Sequence, residues 1–502
     1  MVNKVIFPIL ILLVFFLRFF QVNQFGYFML DEERDAFLVR RMLVDHRPLL
    51  IGGAIPGGIN VGPLFFYISA IPYTLSNLNP VGPAYAAAMV GFLSVLAVYL
   101  IGRKLFDEKT AILATVFSGF SLLNIIYHRP WWPLTMSQLV VLITYLCLWN
   151  LIRGNPAVRQ GYPFASQRKW LFVLVSTLII GAQSDPSTLS LIPLSIIWLC
   201  WKRNQIKLPG KLIVSMIGIF LLAHATWFAF ELRHDFLNTR AVAGLFKGLA
   251  LQGKTRPYGA SQVFQMTSAM LYRLFIPTGP LDVTKQISPA EEFLKSRLEG
   301  VWWPGAYILL LVVGYYVTRS FKGRESRQLL SLHFLISLSG ILIYTFAFPG
   351  YVHEWMWAFM FPMFFLMMAD ILIWLFYKAW PWVTKARPLL TLSVCTWVVW
   401  QLTLFSRLTN IAGLGVKLKI VQEAQTQISG RPYELRSEGS NSLRYGGFRY
   451  LFTLYGNPPV KSYMDYVYED WLYPKNEEES EVILRILNHE NIKTLKHEND
   501  PF

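Results

Sequence analysis

Five ionisable residues, Asp31, Glu32, Glu33, Arg34 and Asp35, stand in unbroken succession within YFMLDEERDAFLVRRML (27–43), just after an apolar run over 5–20. A partly desolvated carboxylate at such a place is a proton acceptor, because burial raises its pKa towards the working range. Glu32, Ala36, Val39 and Leu43 share helical spacing, so Glu32 heads an apolar stripe. The competing reading is a plain helix start, with Asp31 as N-cap and first-turn acids complementing the helix dipole. Asp31 and Glu32 are therefore the candidates for chemistry. Glu33, Arg34 and Asp35 are read as solvating a helix start.

Four further constellations carry polar chemistry. In YHRPWWP (127–133), His128 and Arg129 close one apolar run. The tryptophans read as an interfacial belt. Arg129 has no such reason to be there, and a phosphate supplies one, since guanidinium binds phosphate through paired hydrogen bonds. FELRHDF (230–236) ends another run with Glu231, Arg233, His234 and Asp235, where snorkelling charges are ordinary. GYVHEWMW brings His353 and Glu354 together. One such pair can take a metal or a phosphate, yet without further ligands it is no metal signature. Asp185, in QSDPST, reads as the cap of a helix with Pro186 at its first position. The phosphate and donor set is thus Arg129, His128, Arg233 and His353. Asp185, Tyr67 and Glu354 are substrate-loop candidates, and no residue is assigned to a metal.

The elements that must position these residues are set by composition. Of 502 residues, 54% are hydrophobic and only 15% charged, against about a quarter charged in soluble domains. Apolar runs of spanning length recur, which predicts an all-α polytopic membrane protein. The net charge of +16 lies in short clusters between apolar runs. That pattern fits the positive-inside rule rather than a nucleic-acid stripe. Cys147, Cys200 and Cys395 show neither metal nor disulfide spacing. Lys4 and the first apolar run, with no small-residue cleavage site, read as an uncleaved signal anchor. No Walker A loop, GxGxxG, GxSxG or zinc-spaced histidine pair is present.

Candidate crossings fall at about 5–22, 83–102, 110–127, 133–152, 170–183, 187–201, 211–230, 301–318, 328–348, 355–377 and 388–406. The segment GPLFFYISAIPYTLSNL (62–78) is apolar but holds Pro63 and Pro72. Laid along the interface, it leaves eleven crossings and puts every basic loop on one side. Those loops include Arg103, Lys104, Lys202, Arg203, Arg319 and Arg387. Counted as a crossing, it reverses them all. The expected topology has a cytoplasmic N-terminus, outer loops at 21–82 and 231–300, and a tail (409–502) outside. The tail reads as a small α/β-like domain with a helix near 478–490.

The ordered set LDEERDAFLVRRML, NVGPLFFYISAIP and LSVLAVYLIGRKLF resembles the type C membrane glycosyltransferases, specifically the family of protein O-mannosyltransferases and the lipid A aminoarabinose transferase. The resemblance is best over 1–200. It implies transfer of a hexosyl or pentosyl group from a polyprenyl-phosphate donor to a glycan, lipid or protein acceptor, on the outer face of a plasma (inner) membrane. It implies Asp31 as base with Glu32 supporting or replacing it, and basic outer-loop residues holding the carrier phosphate. A single base predicts inversion at the anomeric carbon. The aminoarabinose branch carries Glu-Lys-Pro-Pro where this chain has Asn60, Val61, Gly62 and Pro63, and its acid can take a divalent metal; many relatives have histidine at the place of Asp185. No cofactor is assigned, with a divalent metal as the alternative. SAMLYRLF (268–275) and 62–78 are candidate walls of a polyprenyl groove, interfacial packing being an equal reading.

The rival functions are a transporter or flippase of lipid-linked sugars, and a glycan polymerase or ligase. A transporter should hold charged or broken-helix sites at mid-membrane. Arg18, His224 and His333 are the ionisable residues expected inside spans, with Arg18 and His333 snorkelling or bonding neighbouring backbone.

Overall fold

A backbone facing lipid has no hydrogen-bond partner except its own chain, so apolar runs of this length must coil. The computed structural model describes residues 2–55, 58–153, 163–206, 209–251, 260–287, 291–320, 324–347, 353–379, 385–437, 446–462, 482–486 and 492–495. Its helices begin with α1 (Val2–Phe19), α2 (Val22–Phe25), α3 (Leu30–Val44), α4 (Leu64–Leu75), α5 (Val81–Leu105), α6 (Glu108–Phe120) and α7 (Leu122–Tyr127). They continue with α8 (Ser137–Arg153), α9 (Pro163–Ser184), α10 (Leu191–Trp201), α11 (Gly210–Ala223), α12 (Ala225–Arg233), α13 (Leu237–Leu251) and α14 (Ala260–Phe275). The last are α15 (Val283–Ile287), α16 (Glu291–Ser320), α17 (Glu325–Ala347), α18 (Phe361–Trp374), α19 (Arg387–Ser406), α20 (Leu414–Ile428) and α21 (Phe448–Tyr455).

Among the described residues, six stretches are long and apolar enough to cross a membrane: 81–105, 133–152, 301–320, 325–345, 354–377 and 387–406. A seventh arises if α11 and α12, bent by 52°, form one broken span. The chain is a multi-pass membrane protein. The segment at 62–78 becomes α4, of 12 residues. It rises about 18 Å, well short of a hydrocarbon core of about 30 Å.

One end of the bundle is closed by paired charges. Arg103 and Lys104 sit in the last turn of α5, where cations complement the carbonyl end. Asp107 then caps α6 through Thr110 N–H at 2.9 Å. Arg327 donates twice to Asp370, at 2.8 and 2.9 Å, and Lys202 lies 3.4 Å from Glu325. Asp370 corrects the sequence reading, which left it out of the ionisable residues inside spans. It stands in α18, buried and paired with α17.

Arg18 is bonded to backbone as expected, donating to the carbonyls of Ser118 and Gly119 at the end of α6. His333 differs: its Nδ1 meets the Tyr145 hydroxyl rather than backbone. His224 stands at the break between α11 and α12, its Nδ1 2.8 Å from the Phe220 carbonyl.

Beyond α19 the described tail holds α20, α21 and a four-stranded sheet of β3 (Tyr433–Ser437), β4 (Lys461–Ser462), β5 (Val482–Ile486) and β6 (Ile492–Leu495), in the order β4-β3-β5-β6. β3 runs parallel to β4 and β5, and β5 antiparallel to β6. The helix expected near 478–490 is overturned at 482–486. Val482, Leu484 and Ile486 alternate along a strand laid against Tyr433–Ser437; the rest of that stretch lies outside the described residues. The tail does not hang from the bundle. Phe37 on α3, Phe65 on α4 and Val421, Leu451 and Phe452 on α20 and α21 share one buried apolar cluster. The connection is pinned as well, with Leu414 N–H on the Gly26 carbonyl at 2.8 Å and Ile411 N–H on Asp282 at 2.9 Å.

Candidate active site

The first turn of α3 sends its three carboxyls in three directions. A helix turns about 100° per residue, so neighbours cannot share a face. Asp31 points out, its side chain 71% exposed, with Arg34 at 3.1 Å. Glu32 is buried and folds back to accept the Met29 N–H at 3.0 Å, satisfying a donor that the helix start leaves open. Glu33 is fully buried and accepts the Tyr450 N–H from α21 at 2.8 Å. Burial and tail contact overturn its reading as a solvating group. Asp35 is also buried, and Arg34 clamps it at 2.7 Å.

Burial sets the protonation of this turn. It pushes Glu32 up to about 8, with Asp31 adding to the rise and the Met29 N–H opposing it. Asp35 is raised to about 6 by burial, against the Arg34 charge. Glu33 is raised by burial, against the Gly447 and Tyr450 amides and the charges of Lys417 and Arg449. Lys417, on α20 and fully buried, is lowered to about 8 by burial, with Glu33 and Glu32 holding it up.

A small hairpin, β1 (Ala54–Ile55) and β2 (Ile59–Asn60), links this helix to distant elements. Gly52 N–H bonds the Val61 carbonyl at 2.7 Å. On one side, Gly53 packs on Arg34, whose guanidinium lies 3.4 Å from where a Cβ would stand. On the other, Asn60 donates its backbone N–H to Asn238 Oδ1 at 2.7 Å, and its carbonyl accepts from Trp227 Nε1 at 3.0 Å. Gly62 presses against Gln183, where a Cβ would fall 2.5 Å from Cγ, so no larger residue fits without displacement. Gln183 in turn donates to the Ala223 carbonyl at 2.7 Å, covering an acceptor freed by the break between α11 and α12. Glu231 caps α13 by accepting the Asn238 and Thr239 amides, each at 2.9 Å. Arg34 and Gln183 thus flank one short ladder.

The members of the expected phosphate set each have their own surroundings. Arg129 is buried and donates to the carbonyls of Phe20 and Leu17 at 2.9 and 3.1 Å, closing the end of α1. That is the reason for an arginine at this place which the topology rule lacked. His128 is buried against Gly91. Arg233 is exposed at the end of α12, close in sequence to the Asn238 corner that the hairpin reaches. His353 precedes a 3-10 turn (Glu354–Met360) and stacks on Trp355. Glu354 is not open to a substrate: it is buried in an ion pair with Arg273 of α14. Asp185 caps the turn Pro186–Ser190, taking the Ser187 N–H at 2.7 Å, as the sequence suggested. The Tyr67 hydroxyl donates to the Leu49 carbonyl at 3.0 Å.

The donor set at 60–63 does not fit a divalent metal. The Asn60 side chain donates to Asn238 at 3.1 Å, and Val61, Gly62 and Pro63 bring no carboxylate. Among the described residues no three His, Cys, Asp or Glu side chains gather to hold an ion. Lys417, Asn238, Gln183 and Trp227 were missed by sequence reasoning. Each acts through a partner far along the chain, so no local pattern marks it.

No protein-family model matches this chain, and no curated protein matches it. Solved structures do. ArnT from Cupriavidus metallidurans bound to undecaprenyl phosphate aligns at a TM-score of 0.56 with 12% identity, over 96% of this chain and 92% of that one. ArnT in the apo state aligns at 0.53 with 13% identity over the same shares. The archaeal oligosaccharyltransferase AglB from Archaeoglobus fulgidus, in complex with an inhibitory peptide and a dolichol-phosphate, aligns at 0.45 with 10% identity over 91% and 64%. At such identities the likeness is one of fold: the chain shares the fold of ArnT.

Proposed function

We propose that this chain transfers a sugar from a polyprenyl-phosphate carrier to an acceptor hydroxyl at the membrane surface, with Asp31 as base. The observation that carries the reading is the split first turn of α3. A base must touch its substrate, and of Asp31, Glu32 and Glu33 only Asp31 offers an open carboxylate, while Arg34 holds it in place. The fold shared with ArnT, whose structure holds undecaprenyl phosphate, supports the donor class.

In the proposed step the acceptor oxygen bonds the anomeric carbon as the bond from that carbon to the phosphate oxygen breaks. The hydroxyl proton passes to Asp31, and polyprenyl phosphate departs with its charge. One displacement inverts the anomeric centre. Cations near the leaving phosphate lower the barrier as its charge grows. Arg233 is the open candidate for this; Arg129, closing α1, supports the scaffold instead. Glu32 ties the turn to the Met29 amide and supports Asp31. The reading includes eleven crossings, residues 1–408 as the transferase body, 409–502 as an outer unit, and a cytoplasmic N-terminus in a plasma membrane. The one-sided basic loops support that orientation.

The test is transfer of labelled sugar from polyprenyl phosphate by membranes holding the full chain. Asp31→Asn should abolish transfer at normal protein level, and Glu32→Gln should slow it. Equal transfer by the wild type and both variants would remove α3 from the chemistry. Movement of intact carrier across vesicles without sugar transfer would favour a flippase.

A further inference from the structure

Lys417 is fully buried on α20, where an ammonium is costly unless its three protons are taken. Its Nζ donates to the carbonyls of Phe28 and Gly446, and the Met29 sulfur lies at 3.2 Å. The Phe28 carbonyl and the Met29 N–H belong to one peptide group. That N–H is the donor held by Glu32 at 3.0 Å. An unbroken path therefore runs from the Lys417 ammonium, through the carbonyl and amide of a single peptide, to the Glu32 carboxyl. A cation on the carbonyl polarises the peptide and strengthens its N–H as a donor, the cooperative effect of linked hydrogen bonds.

We propose that Lys417, carried on the tail, is a positioning residue for Glu32, orienting it and favouring its charged form through the Phe28–Met29 peptide. The inference rests on the reading of α3 as the acid helix of the reaction, and extends it to the tail. Lys417 does not reach the acceptor; it acts on the turn that carries the base. The other titratable groups facing Glu32 are Asp31 and Asp35 from its own helix and Tyr73 from α4. Glu33 faces Lys417, and Arg449 faces Glu33. Asp31 and Asp35 oppose a charged Glu32, whereas the Lys417 ammonium, joined to it through the Phe28–Met29 peptide, favours it.

The test separates this inference from the transferase reading by using a measurement that needs no turnover. The carboxyl stretch of Glu32 is followed by infrared titration of the full chain in lipid, with Glu32→Gln subtracted. Lys417→Met should raise the midpoint by about one pH unit, as loss of a nearby opposite charge does. Lys417→Arg should leave it within a few tenths. If Lys417→Met does not accumulate, Lys417→Gln keeps a donor, lacks the charge, and should also raise the midpoint. An unmoved midpoint in the uncharged variants overturns the proposal. So does an equal rise in Lys417→Arg, which would mark general loosening. Should the wild type transfer no sugar, the transferase reading falls while the infrared titration still decides the role of Lys417.

Discussion

Replacing Glu32 by Gln should remove a pH dependence of stability that runs opposite to the usual acid behaviour. In the folded chain Glu32 holds its proton up to about 8, whereas the free carboxyl loses it near 4.5. Between these values the folded state binds more protons than the unfolded one, so stability falls as pH rises. Asp35 acts with the same sign but is finished by about 6, and Lys417 begins to act with the opposite sign above about 8. Glu33, also raised by burial, acts with the same sign as Glu32, so the window from pH 6 to 8 is read as a difference from Glu32→Gln. The slope is about 1.4 kcal/mol per pH unit and falls to half of that as pH reaches 8, which gives a loss of about 2 kcal/mol across it. Reversible unfolding by SDS in mixed micelles, at fixed temperature, measures the difference. The wild type should lose about 2 kcal/mol relative to Glu32→Gln between pH 6 and 8. If the two proteins run parallel across that window, Glu32 is not held in a desolvated turn and the account of α3 fails.

Arg129→Met should strip the donors from the Leu17 and Phe20 carbonyls and cost about 2–3 kcal/mol, with undecaprenyl phosphate binding to the purified chain unchanged. Lost binding at unchanged stability would return Arg129 to the phosphate. Gly62→Val should push the hairpin off Gln183 and lower sugar transfer at least about tenfold, a barrier change of about 1.4 kcal/mol; full activity would show that the ladder can move without effect. Arg273→Met and Glu354→Leu should each destabilise by about 3–5 kcal/mol, and the double variant by much less, since removing both charges leaves none buried alone. Additive losses in the SDS titration would refute the pair.

Much of the bundle was legible because hydrophobicity over a window is a local property. The helix from Val81 to Leu105, the cap at Asp185 and the acidic opening of α3 all follow from residues within a few positions of one another. What escaped was set by partners far away. Arg129 finds its carbonyls 109 and 112 residues earlier, so its outer-loop position looked like a vacancy for phosphate. Asp370 was hidden in a run of Phe, Met and Ile, and its neutralising Arg327 stands 43 residues off. Glu33 looked solvated because the surface that buries it comes from α21, 417 residues on. The strand at 482–486 depends on the edge offered by 433–437, which pattern alone cannot supply.

The tie between Lys417 and the Phe28 carbonyl spans 389 residues of sequence. Ribosomes add about 5–20 residues per second, so a newly made α3 waits roughly 20–80 s before the lysine that completes its entry exists. During that interval the chain already has its first acids but not the cation, nor the amide of Tyr450, that hold them. A chain interrupted before α20 would thus be left with an unfinished acid turn. On the proposed reading of α3, the acid turn is therefore finished only when synthesis has passed α20 and α21.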